Sequence, residues 1–545
     1  MRKSTYRAAA ILLLSLVLGA CSSSAPDTDV DSADAADPVV IRVFAQQEPS
    51  SDLATNDFTK ELEGRFNVKF AWEAVASAGA KEKRQISFAS GDYPDAYILT
   101  TYVDQFSQAD VLRYGQQSVF LPLNDLIDEY APHIKAAMKE NATLRAFNTA
   151  PDGNIYGLVG YSECYHCSYP NKMWINTAWL EKLNLDMPET TEQFKEVLRA
   201  FKTLDPNGNG AADEIPLSGS IEDFGVRLIP YLMNGFIYDD DRTYLELKDG
   251  KVRMAADQPE WREGLAYIKS LYDEGLIDPG AFTQNAVAFK QIGENAGEQI
   301  LGAGAAMHPD IFVNTGLGNT RGNDYNPLPP LRGPYASYAT NMHIGVTPGA
   351  KFVITNKASK EAQIALIRMV DYMYTPEGQA FAETGKEGVD WRKPLPGEQA
   401  LNPELEPRFA RIPVESGKKS NNSGWSGMGH FYMPRDYRDS WVQGADIYAP
   451  DGYERRLMEA TKLYDGHEPE QALAVESLWI QPEAADEINF LQLHIRNYIE
   501  ESALQFITGN KQLDKDWEAY VNGLRKLNAD RYVQIMQKAY EDSTR

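Results

Sequence analysis

Asp205, Asn207, Asn209 and Asp213 place oxygen-bearing side chains at the first, third, fifth and ninth positions of a short loop, with Gly210 at the sixth and Glu214 at the tenth. A hard divalent cation gathers about six to eight oxygens on one small sphere, and a tight loop turns alternate side chains to one side to supply them. Ala211 would add a backbone carbonyl at the seventh place, and Gly208 and Gly210 permit the positive φ that a side chain would obstruct. The twelfth position, where an EF-hand carries a bidentate Glu, is Pro216, so that role falls to Glu214 or stays empty. An ordinary Asn/Gly turn after a helix is the alternative, although turn chemistry alone does not call for acids at both ends. The expectation is a structural calcium site in the loop 205–216, held by Asp205, Asn207, Asn209, Ala211, Asp213 and Glu214. No second such loop occurs, which argues against a sensor pair.

Cys164 and Cys167 form a C-x-x-C pair. Outside the cell this spacing points to a local disulfide, while free thiols and a metal or redox role stay open; zinc would need further close ligands that the neighbourhood does not show. Several aromatics fall in turns where packing explains them weakly: Trp72, Tyr93, Tyr102, Trp174, Tyr335, Trp391, Trp425 and Trp441. Such rings can stack on the apolar C–H faces of sugars, with planar polar groups taking the hydroxyls. Polar candidates beside them are Gln46, Gln47, Asp92, Asp95, Asp310, His343 and Arg392. For every one of these the alternative is a core, capping or surface role. Acids are abundant, but no motif singles out a catalytic pair, and no G-x-S-x-G, H-E-x-x-H or Walker-type stretch appears. The chain is therefore expected not to be an enzyme.

The elements that must position these residues begin after a leader. Arg2, Lys3 and Arg7 precede an apolar run from Ala8 to Ala20, too short to span a bilayer and suited to a signal peptide over 1–20. Leu18-Gly19-Ala20-Cys21 resembles the bacterial lipobox, in which cleavage before the cysteine leaves Cys21 to be lipidated. Residues 21–38 are rich in Ser, Ala and Asp and offer almost nothing to bury, the composition of a disordered tether. Across its 545 residues the chain carries a formal charge of −25, which disfavours nucleic acid.

The folded part opens as βαβ: a strand at Val39–Phe44, a helix at Asp57–Phe66 and a strand at Val68–Trp72, followed by a helix at Lys81–Ser90 and a strand at Asp95–Leu99. Strands alternating with helices give a largely parallel sheet, which takes its ligands beyond the carboxyl ends of its strands. A helix over Thr191–Leu204, capped by Thr190 or Thr191, leads directly into the calcium loop, and further helices are read at Trp261–Glu274 and Glu361–Tyr374. From Leu478 onward the chain is mostly helical, with Trp479, Ile488, Leu491 and Ile495 on one stripe. The length beyond the tether exceeds one ordinary core, so at least two lobes are expected.

Lys172-Met173-Trp174-Ile175-Asn176, Trp179-Leu180-Glu181-Lys182-Leu183, Asp205-Pro206-Asn207-Gly208-Asn209-Gly210, Glu274-Gly275-Leu276-Ile277-Asp278-Pro279, Tyr374-Thr375-Pro376-Glu377-Gly378 and Gly388-Val389-Asp390-Trp391 follow one another in an order that resembles the extracellular solute-binding proteins of family 1. The resemblance is to the branch of large lipoproteins that includes alginate-oligosaccharide binders. It implies an α/β fold of two lobes around an interlobe cleft, helix-rich, with the calcium loop in the second lobe. It also implies a lipid-anchored, monomeric capture subunit outside the cytoplasmic membrane, delivering an oligosaccharide to the permease of an ABC importer. A binder of peptide or another polar solute, or a surface enzyme acting on polysaccharide, is the alternative. The lobes are expected at 39–160 plus 335–390 and at 161–334 plus 391–545. His308-Pro309-Asp310 resembles, in its place along the chain, a cleft loop of carbohydrate binders. The expected ligand set is then Trp72, Asp92, Trp174, Asp310, Trp391, Arg392 and Trp425. The stretch Tyr161–Tyr169, with its cysteines and tyrosines, departs from the family pattern.

Overall fold

Val39–Gln47 and Val68–Ala76 run parallel with Val39 opposite Val68, joined by the helix Asp57–Phe66. Asn56 caps that helix by accepting from the amides of Phe58 and Thr59, and Asn67 ends it in the left-handed conformation that lets the chain turn straight into the next strand. Ala96–Ile98 adds in parallel on the other side, and Phe352–Ile354 returns much later, antiparallel, to complete a four-stranded sheet. Its apolar side chains, with Phe58, Leu62, Leu366 and Val370 from covering helices, form the first lobe's core.

The computed structural model describes residues 37–543 except 48–50, 77–78, 222–224, 316–318, 343–345, 413–420, 474, 476–477 and 479. The leader, Cys21, most of the tether, His343 and Trp479 lie outside the described residues. Val39–Arg545 forms one unit. Among the described residues no helix is long and apolar enough to cross a membrane.

The second lobe has its own four-stranded sheet, built from Met173–Asn176, Ile215–Ser218, Leu301–Ala305 and Tyr325–Leu328. Ile215–Ser218 runs parallel to Leu301–Ala305, while Met173–Asn176 runs antiparallel to both Leu301–Ala305 and Tyr325–Leu328. Trp261, Leu265 and Ile268 of the helix Pro259–Asp273 pack with Ile495, Ile499 and Phe506 of the helix Pro482–Ile507 in this lobe's core. Small residues Gly302 and Gly304 let Phe201 and Phe312 approach the central strand; a Cβ on Gly302 would stand 2.6 Å from the Phe201 ring.

The chain passes between the sheets along segments that lie side by side, since Tyr161 bridges Val346 and also pairs with Tyr432. The packing moves two of the expected boundaries. Thr340 accepts from Asn234 and the Ala339 amide donates to His467, so the chain after Tyr335 stays with the second lobe through Thr340, while Val346 pairs with Tyr161. Trp391 donates to the Gly385 carbonyl, and Trp425, Met428 and Phe431 enter the first-lobe core, so the stretch after Trp391 belongs with that lobe. Its strands are two residues long, at Trp391–Arg392 and Ala410–Arg411, which is too short to leave a periodic signal.

Candidate functional site

Parallel strands define where an α/β sheet can receive a ligand. In the first lobe, Lys351 precedes the strand Phe352–Ile354, whose Phe352 lies opposite Ile98, so Lys351 stands at the carboxyl end of the parallel strands. Its amine reaches the carbonyls of Met428 and His430 at 2.8 Å, and this brings His430 and Glu383 over the same end. In the second lobe, Met173 lies opposite Ala305, so Lys172 and His308 stand at the carboxyl end of Leu301–Ala305. The Lys172 amine is bonded to the carbonyls of His166 and Tyr169. Both lysines are buried without a carboxylate partner, and desolvation lowers each to about 7.

Between these two ends lies a cavity lined by Tyr165, His166, Glu383, Arg411, Tyr437, Arg438, Trp441 and Glu454. Helix Pro376–Glu383 delivers Glu383 from the first lobe, and helix Tyr453–Lys462 delivers Glu454 from the second. The charges are largely paired: Arg411 meets Glu383 at 3.1 Å, and His166 Nδ1 meets Glu454 at 3.0 Å. Burial acts to raise Glu454, but His166, Arg438 and Arg411 outweigh it and hold the carboxyl at about 2. Arg411 lies 4.9 Å from the Trp441 ring centre. The cavity holds about 80 Å³, well below the roughly 300–1,000 Å³ of small-ligand pockets. Two larger cavities border the crossings. One of about 310 Å³ runs from Ser107 and Pro348 of the first lobe to Tyr238, Asp240 and Arg242 of the second, and one of about 380 Å³ is walled by Glu163, Cys164, Tyr169, Arg435 and Glu468. They share Asn341 and Met342.

Most of the expected ligand set lies elsewhere. Trp174 is fully buried and donates its indole N–H to Ala306; Trp391 packs edge-on against Phe409; Trp425 packs edge-on against Phe58 and donates to Thr59. With both faces covered, these three indoles are core residues rather than sugar platforms. Trp72 is half-buried in mid-strand against Phe70 and Trp425. Asp92 precedes the strand Ala96–Ile98, so it lies at the amino end of the sheet, away from the cleft, where it pairs with Arg42. Arg392 is engaged by both oxygens of Glu398. Gln46 is a structural brace, donating to Asp104 and accepting from Thr100. Asp310 follows the carboxyl end of Leu301–Ala305, as a cleft residue should, with its amide donating to the Tyr453 hydroxyl and its carboxylate accepting from the Thr315 amide and hydroxyl. Trp441, from the wider aromatic list, is the tryptophan that lines the interlobe cavity. Tyr165, His166, Arg411 and Glu454 were not singled out; the first two fall in Tyr161–Tyr169, the stretch that departs from the family pattern, and the other two carried no signal.

The acidic loop joins the helix Thr191–Thr203 to the strand Ile215–Ser218. Asp205 accepts from the amides of Gly208 and Gly210, Asn207 from that of Asn209, and Asn209 from that of Ala211, so successive oxygens turn inward. Asp205 itself adopts φ 48°, with Gly208 and Gly210 at 74° and 77°. Asp213 is held by the side-chain amides of Asn207 and Asn209. Glu214 Oε1 is buried with no partner, and burial together with the Asp205 and Asp213 charges raises its pKa. An orphaned carboxylate oxygen inside a ring of oxygens is a good fit for a hard cation. Cys164 and Cys167 are joined as a disulfide, with Cα atoms 5.3 Å apart.

Two α/β lobes, crossed by adjacent segments and meeting at the carboxyl ends of their sheets, define a cleft-forming solute binder. Residues 47–380 match the bacterial extracellular solute-binding protein family model, and the chain belongs to that family. It is 29% identical, over 99% of each chain, to the fructooligosaccharide ABC transporter substrate-binding protein FusA of Streptococcus pneumoniae serotype 4 (strain ATCC BAA-334 / TIGR4). Among solved structures, S. pneumoniae FusA in complex with kestose superposes with a TM-score of 0.73 at 26% identity, covering 93% of this chain and 99% of that one. An EF-hand mutant of FusA with fructo-nystose matches equally, with a TM-score of 0.73 at 25% identity over 93% and 99%. An extracellular solute-binding protein from Bifidobacterium longum subsp. infantis shares the fold, with a TM-score of 0.76 at 20% identity over 93% and 99%.

Proposed function

We propose that this protein captures an oligosaccharide between its lobes and hands it, chemically unchanged, to the membrane permease of an ABC importer. The observation that carries this is the cavity at the carboxyl ends of both sheets, where Trp441, Tyr437 and Tyr165 bring aromatic rings beside paired carboxylates, guanidinium groups and an imidazole. Aromatic faces cover the apolar side of a sugar ring, and planar charged pairs both donate to and accept from its hydroxyls. A volume of about 80 Å³ is too small for a sugar chain, so loading requires the lobes to part. The likeness to FusA supports the carbohydrate class. Calcium held by Asp205, Asn207, Asn209, Ala211, Asp213 and Glu214 would brace the second lobe, a reading supported by the orphaned Glu214 oxygen and by the EF-hand described in FusA. We further propose that Cys21 carries a lipid anchor on the outer face of the membrane and that the protein works as a monomer.

Calorimetry with kestose and a panel of neutral and uronate oligosaccharides tests the central reading. At least one is expected to bind and to be recovered intact. If none binds, or if the sugar is recovered cleaved, the proposal fails.

A further inference from the structure

The Cys164–Cys167 disulfide closes a turn in the first crossing, and the two residues it encloses, Tyr165 and His166, both line the interlobe cavity. Besides the disulfide, side chains and a neighbouring segment hold the turn: the Lys172 amine donates to the His166 and Tyr169 carbonyls, the Ser168 hydroxyl to the Tyr165 carbonyl and the Met342 amide to the Ser168 carbonyl. Its 3-10 segment spans only His166–Ser168, held by the amides of Cys167 and Ser168 donating to Cys164 and Tyr165. A single short turn with such bonds is marginal by itself.

The side chains, by contrast, are aimed. Tyr165 donates to Asp465 at 2.9 Å and lies under the Arg435 guanidinium at 4.3 Å. His166 meets Glu454 at 3.0 Å, its Nε2 stands 3.5 Å from Cys164 Sγ, and its carbonyl takes the buried Lys172 amine at 2.7 Å.

We propose that this turn is a sugar-reading element of the cleft: Tyr165 and the His166–Glu454 pair contact the ligand, and the disulfide is the positioning device that holds them there. This rests on the carbohydrate-capture reading above. Affinity then depends on redox state. A small dithiol reductant would transfer two electrons and two protons, breaking the S–S bond to give two thiols while itself closing to a cyclic disulfide. Access is provided by the cavity of about 380 Å³ on whose wall Cys164 lies.

The test uses the whole mature protein. The oxidised form is first titrated with kestose and the oligosaccharide panel; binding of none sinks the capture reading itself. With the tightest binder, the oxidised protein is compared with protein reduced by dithiothreitol and blocked by alkylation, and with the Cys164→Ser/Cys167→Ser variant. The expected result is at least a tenfold loss of affinity in both, with far-ultraviolet circular dichroism unchanged and affinity restored when unblocked protein is reoxidised. Equal affinity in the oxidised and reduced forms overturns the positioning role. If reduction unfolds the chain, Tyr165→Ala and His166→Gln in the oxidised protein decide the matter. Each should weaken binding by about tenfold in protein that circular dichroism shows to be folded, and unchanged affinity in both overturns the proposal.

Discussion

Removing the Trp441 ring should weaken sugar binding by about tenfold or more in the fraction that stays folded, because one part of the ring meets the cavity and the Arg411 guanidinium, and it should also cost the free protein stability, because the rest packs on Phe409 and Tyr437. Trp391→Ala and Trp425→Ala should cost the free protein about 3–5 kcal/mol each, the loss seen when a large buried aromatic leaves a void, without changing the affinity of the protein that remains folded. Denaturant unfolding beside calorimetry separates the two kinds of tryptophan; a stable Trp391→Ala variant with lost affinity would return that residue to the cleft. At the calcium loop, a site of Kd on the order of 10⁻⁴ M contributes about 1.4 kcal/mol at ~1 mM calcium. Chelator should therefore lower the melting temperature, and Asp205→Ala should abolish the response. The turn of the loop was legible because the residues that shape it are local in sequence. The tryptophans were misplaced for the opposite reason: a turn such as Gly388–Trp391 does not disclose that Phe409, some distance along the chain, will cover the ring.

At the scale of elements, His308 follows a second-lobe strand and His430 is tied through its carbonyl to Lys351 of the first lobe. Burial lowers both from 6.5 to about 4. His430 faces Glu383, Lys351, Arg438 and Arg411, and His308 faces His166, Asp310, Glu454 and Lys172. The unfolded chain takes up protons near pH 6.5 that the folded one refuses until about pH 4, so stability should fall as pH drops through that window. Melting temperatures recorded across it should slope downward, less steeply for His308→Asn; a flat profile would show that these imidazoles are open to water. Regular elements were readable where a pattern ran long enough. The helix Thr191–Thr203 carries its capping box of Thr190 and Gln193 and a full apolar face, and the helix Asp57–Phe66 begins and ends as the residues indicate. The crossings were not readable, since their pairing reduces to single bridges such as Tyr161 with Val346.

For the whole molecule, Cys21→Ser should release the protein from membranes into the soluble fraction, and finding an unmodified Cys21 in membrane-bound native protein would count against the anchor. The α/β architecture with its interlobe cleft was anticipated from the βαβ opening and the ordered family motifs. The partition into lobes was not, because Trp425 and Phe431 join a core whose strands and helices lie far from them in sequence.

The two buried lysines also locate the axle of the machine. Lys172 rivets the carbonyls of His166 and Tyr169 to the second lobe, and Lys351 rivets those of Met428 and His430 to the first. Whatever bends when the lobes separate lies outside the parts so riveted, at Tyr161–Glu163 in the first crossing and beyond Trp441 in the last, because Trp441 still packs with Phe409 and Trp391. Hydrogen exchange with and without sugar should change most at those amides. The turn bearing Tyr165 and His166 would then travel as cargo of the second lobe, arriving at Trp441 and Arg411 only on closure, so that the tyrosine, the imidazole and the tryptophan face one another across a gap that the ligand itself completes.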